Sequence, residues 1–120
     1  MNAFLLAAAI LTLFTWGLHT FMGTPEIAGP LLASDLPPVP KYTNYYCWHA
    51  VTIVLATMAG GYAYAALVEG AGDVAVLVTV LAVGFCLLGI FLMIQKKQRL
   101  VDLPQWVLFA IIVAVAVPGL

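Results

Sequence analysis

Residues 74–94 read VAVLVTVLAVGFCLLGIFLMI, twenty-one positions without an Asp, Glu, Lys or Arg. A helix rising about 1.5 Å per residue needs about 20 residues to cross a hydrocarbon core of about 30 Å, so this stretch reads as a membrane span over about 73–94. Working outward, the same pattern recurs at about 3–22, 46–68 and 103–120. Apart from Asp73 at the edge of its span, none of the four holds a formal charge. The reading is therefore all-α: a four-helix transmembrane bundle with antiparallel up-down topology, forming one integral-membrane domain over 1–120.

Composition agrees. With 65% hydrophobic and 8% charged residues, too little polar surface exists to coat a water-soluble globule, so the lipid bilayer is the first partner implied. A net charge of -1 with only four Lys and Arg excludes a nucleic-acid surface, which needs clustered bases. The first span lacks a basic leader and a small-residue cleavage pattern, so it reads as a retained helix rather than an export signal. The chain has no C-x-x-C, H-E-x-x-H, G-x-S-x-G or glycine-rich phosphate loop, and this lack of catalytic motifs favours a non-enzymatic role.

The bases give orientation. Lys41, Lys96, Lys97 and Arg99 all fall in the first and third loops, whereas the second carries only Glu69 and Asp73. The positive-inside rule then places loops one and three in the cytoplasm and both termini outside.

Along the chain, Thr12, Trp16, His19, Thr20 and Gly23 recur at helical spacing and predict an inward stripe on the first span. The connection from about 23 to 45 reads as a long first loop. Thr24-Pro25-Glu26 opens a short interfacial helix that Gly29-Pro30 bends or ends, and Leu36-Pro37-Pro38-Val39-Pro40 predicts an extended polyproline strip. Tyr42, Tyr45, Tyr46 and Trp48 then form an aromatic belt at the interface. His49, Thr52, Ala56, Gly60 and Ala63 line one face of span two, a row of mostly small residues suited to close helix packing or self-association, whether a homo-oligomer or a larger membrane complex. Glu69 to Asp73 reads as a tight hairpin.

One constellation points to chemistry. His19 and His49 lie about three residues inside the same boundary of antiparallel spans, at a depth of roughly 5 Å, where the imidazoles are expected to face each other. Three uses fit. Two imidazoles can ligate a b-type haem axially for electron transfer. His19 and His49 with the Cys47 thiolate can bind a copper or zinc ion. Or the pair can relay a proton. Against these stands the plain reading of two histidines hydrogen-bonded near helix ends. Cys47 and Cys86 lie at different depths and predict free thiols.

In size and span number the chain is similar to small multidrug-resistance transporters and small fluoride channels. It lacks the first-helix glutamate of the former, and Asn2 and Asn44 lie outside the spans, unlike the pore asparagine of the latter. His19-Thr20-Phe21-Met22-Gly23, with Pro30-Leu31-Leu32 and Cys47-Trp48-His49, resembles small, uncharacterised four-pass proteins of the bacterial inner membrane. That resemblance implies a location and an architecture, and no activity.

Overall fold

The computed structural model describes residues 1–120 and is helical almost throughout. Helix α1 (Ala3–Gly17) runs without a break into a π-helical segment (Leu18–Ala28) and a short α2 (Gly29–Ala33), so one rod spans Ala3–Ala33. Then come α3 (Pro38–Leu67), α4 (Gly72–Gln95) and α5 (Gln105–Ala116), the last finished by a 3-10 turn (Val117–Gly119). The rod, α3 and α4 are each long and apolar enough to cross a membrane; these three helices mark a membrane protein.

Two expectations change. The long first loop shrinks to residues 34–37, because the prolines expected to hold it extended instead start helices. Pro38 and Pro40 stand in the first turn of α3, whereas Pro30, at the second position of α2, is carried within the continuous rod. An amide N–H has no intrahelical partner in a first turn, so a proline costs no bond there and its fixed φ suits the helix. Only Pro37, with ψ 152°, keeps the extended geometry. The fourth span, expected over 103–120, contracts to a helix beginning at Gln105, and Pro118 falls in its closing 3-10 turn. At 15 residues, Gln105–Gly119 falls short of the other three.

The helices close a ring in the order α1, α3, α4, α5 and back to α1, with α1 against α3 the most extensive interface. One end of the bundle is tied by Asn2. Its side-chain oxygen accepts from the N–H of Phe4 and Leu5, capping α1; its backbone N–H donates to Ala66 O at 2.8 Å and its Nδ2 to Gly119 O at 2.7 Å. The start of α1 therefore meets the ends of α3 and of the last helix. At the same end Gly70 takes φ +82°, the conformation that lets α3 turn into α4.

Tyr62, Leu55, Met58, Ile112 and Thr12 are the largest side chains fully enclosed. Tyr62 shares a 3.0 Å hydrogen bond with the Thr79 hydroxyl, which itself donates to Ala75 O at 2.8 Å, joining α3 to α4 with every polar atom satisfied. Gly61 admits Val78, and Gly89 admits Trp106, each at a distance a Cβ would not tolerate. Phe85 stacks on Phe109 at 5.1 Å between α4 and α5. Outward positions carry Leu13, Phe14, Leu77, Val80 and Leu87, an exterior matched to acyl chains rather than water.

Helix α4 ends in a Schellman motif: the Gln98 N–H donates to Met93 O and the Lys97 N–H to Ile94 O. Lys97 pays for it with φ +51°, a position that favours glycine. Beyond it Arg99 grips Asp102 at 2.8 Å, and the guanidinium holds that exposed carboxyl below the usual carboxylate range.

Candidate functional site

The polar groups gathered at the opposite end from Asn2 centre on His19. It follows α1 by two residues, at the second position of the π-helical segment. Extended π-helix is rare and recurs at functional positions. Here it continues for 11 residues and includes Pro25, which has no N–H to contribute to the ladder.

His19 reaches across to α3. Its Nε2 lies 3.0 Å from Thr52 Oγ1 and 3.2 Å from Trp48 O, and its ring stacks on the Trp48 indole at 4.0 Å with 21° between planes. A backbone carbonyl only accepts, so Nε2 carries a proton and donates to it. The Thr52 hydroxyl also donates to Trp48 O, at 3.3 Å, so one carbonyl receives both side chains. The far edge of the indole lies over Gly23, where a Cβ would be 2.8 Å from the ring, and its Nε1–H extends toward Thr24 Oγ1 at 3.4 Å. Trp48 is thus clasped by His19, Gly23 and Thr24, all from one stretch of the π-helical segment.

The other predicted ligands lie elsewhere. His49 follows Trp48 by one residue, about 100° around the helix. It is exposed and packs edge-on against Tyr45 at 4.5 Å. No hydrogen bond or ring contact joins it to His19. Cys47 is an exposed free thiol beside Asn44, Ile27 and Leu31. No three His, Cys, Asp or Glu side chains converge where they would hold a metal ion, so the expected set of His19, His49 and Cys47 is not brought together. Ligation by His19 through Nε2 would require it to leave Trp48 O and Thr52. The second cysteine, Cys86, is free and half-buried in α4.

Trp48 and Thr52 are the partners that sequence reading placed differently, Trp48 in an interface belt and Thr52 on a packing face. The signal was present: they stand four residues apart on α3, facing a glycine and a histidine four apart on the first rod. Two buried polar atoms lack partners, Thr20 Oγ1 and Trp106 Nε1. An unsatisfied buried group costs about 1–3 kcal/mol, so each marks a place where something is accepted in exchange. For Trp106 that is close packing on Gly89.

No protein-family model, curated protein or solved structure matches this chain.

Proposed function

We propose that the protein is a non-enzymatic accessory or interaction subunit of a bacterial inner membrane, with its four helices in up-down order, the 34–37 and 96–104 connections in the cytoplasm, and both termini outside. The observation that supports this is a mismatch of lengths. Helix α3 has 30 residues, so it extends for about 45 Å, about 15 Å more than a hydrocarbon core. The molecule is 51 Å long, more than a bilayer of about 40–45 Å with its headgroups. The excess is the tip formed by α2 and the start of α3. There Val39 is 78% exposed and Tyr42 60%, beside the prolines of the connection, with Tyr46 following, 74% exposed, where α3 enters the core. Apolar and aromatic surface carried this far from the acyl chains is stabilised by covering it, and aromatic residues are the anchors that interfaces favour.

The test is site-specific photo-crosslinking from Tyr42 and Tyr46 in native membranes. One discrete adduct of fixed mass, lost when Val39 and Tyr42 are replaced by Ser, supports the reading. Crosslinks only to lipid, with no protein partner and no second copy, overturn it. A reporter fused to the C terminus tests the orientation: activity in the cytoplasm refutes it.

A further inference from the structure

Helices α4 and α5 differ in reach. Trp106, at the start of α5, packs on Gly89, and α4 continues beyond that level to Gln95, about 9 Å further. With 24 residues α4 rises about 36 Å, which is a hydrocarbon core of about 30 Å and a few ångströms of headgroup at each end. Lys96 and Lys97 therefore leave the helix at the depth of lipid phosphates. From there the chain returns toward Trp106, and every residue from Lys96 to Asp102 is exposed. Its side chains change with depth: Lys96, Lys97 and Arg99 come first, then Leu100 at 50% exposed and Val101 at 72%. Bases thus lie level with headgroups and apolar groups below them.

Two of these bases are free. Arg99 is held by Asp102 through Nε at 2.8 Å and a second guanidinium nitrogen at 3.2 Å, whereas neither lysine ammonium has a hydrogen-bond or ion-pair partner. Lys96 has an ordinary explanation, a cation beside the negative end of a helix. Lys97 does not. It occupies the left-handed position of the Schellman motif at φ +51°, where glycine would hold the same turn without a Cβ in the way. A residue kept in a costly backbone conformation points to what its side chain does, and the ammonium is what glycine lacks.

We propose that Lys96 and Lys97 form the phosphate site of one anionic phospholipid, with Leu100 and Val101 beside the upper carbons of its acyl chains. Charge selects the lipid. Two uncompensated ammonium groups attract a headgroup carrying a net negative charge and gain far less from a zwitterionic one, whose own cation repels them. Each lysine near an anionic lipid surface strengthens binding about fivefold, so the pair should favour phosphatidylglycerol over phosphatidylcholine by about twentyfold. The site serves whichever side of the membrane the 96–104 connection faces, and it shares no residue with the partner surface around Tyr42.

The experiment is native mass spectrometry of the full chain, delipidated in detergent and titrated in parallel with dioleoyl phosphatidylglycerol and dioleoyl phosphatidylcholine. Wild type is expected to retain the first about twentyfold more tightly. Lys97→Gly should lower that preference about fivefold while raising the melting temperature, a combination that a folding defect does not produce. Lys97→Gln repeats the test without the backbone change and carries the same expected loss, and Lys97→Arg should keep most of the preference. Lys41→Gln, which removes the base at the tip, should leave it unchanged. A folded Lys97→Gly chain with the full preference overturns the site. An equal loss from Lys41→Gln would reduce the effect to bulk charge and overturn it too. Displacement of phosphatidylglycerol by millimolar inorganic phosphate would overturn the lipid as occupant and assign the lysines to a soluble phosphate.

Discussion

Gly23→Ala is the sharpest probe of the His19–Trp48 clasp, because its sign depends on what lies opposite. A Cβ at position 23 would stand 2.8 Å from Cη2 and 2.9 Å from Cζ2 of Trp48, well inside the ~3.5–4.0 Å at which carbon atoms attract. The indole is not free to swing away, since its face lies on His19 and its Nε1–H points to Thr24. Overpacking of this kind costs about 1–3 kcal/mol. Alanine in place of glycine within a helix returns about 0.5–1 kcal/mol. Gly23→Ala should therefore destabilise the wild type by up to about 2.5 kcal/mol. Phenylalanine at position 48 lacks the benzo atoms that reach Gly23, so in a Trp48→Phe background the same substitution should stabilise by up to about 1 kcal/mol. Reversible unfolding in mixed micelles by added dodecyl sulfate, followed by circular dichroism, measures all four proteins. Equal effects in the two backgrounds would show that the indole does not occupy the groove over Gly23.

His19→Phe keeps an aromatic face for Trp48 but removes both Nε2 contacts; the loss should be about 1 kcal/mol, and adding Thr52→Val should cost no more than the sum, because Trp48 O keeps its helical partner, the Thr52 N–H. Tyr62→Phe should cost about 0.5–1.5 kcal/mol in the same assay, since Thr79 retains Ala75 O as acceptor and nothing is left unpaired. Lys97→Gly should stabilise by about 1 kcal/mol by relieving the left-handed backbone at the end of α4, a gain that Lys97→Ala should not reproduce. Asp102 has a folded-state pKa below its unfolded value, so what its pairing contributes is present above the unfolded value near ~3.9 and fades as pH falls through the folded one. Unfolding measured from pH 6 to pH 2 should show a small slope that Asp102→Asn removes and that high salt reduces; a slope of opposite sign would refute the pairing.

The helices were legible because lipid imposes one rule on every residue that faces it, and runs such as 74–94 admit no other reading. The connection at 23–45 was not, because a proline supports opposite outcomes depending on where it falls. In mid-helix it breaks the hydrogen-bond ladder; in a first turn it is harmless, and Pro38 and Pro40 are both in the first turn of α3. Pro25 escapes by a different route, inside π-helical backbone. Composition alone does not reveal which turn is the first.

The site divides along the same line between depth and azimuth. Depth adds up residue by residue, and counting from the helix ends placed His19 level with His49; it is found beside Trp48 and Thr52, the neighbours of His49 on α3. Azimuth depends on phase, and phase is what a π-helical segment alters: each of its hydrogen bonds closes over five residues rather than four, so the stripe drawn through Trp16, His19 and Gly23 shifts around the axis after Leu18. A shift of one position on the facing helix decides whether the imidazole meets His49 or Trp48, and it meets Trp48. Gly60 and Gly61 make the same point within unbroken α-helix, where about 100° separates a glycine pressed by Val78 from one with no atom within 4 Å. Small residues in a membrane helix thus stand in two settings that periodicity does not distinguish. What separates them is the opposing surface, which here is a valine for one and open space on the outside of the bundle for the other.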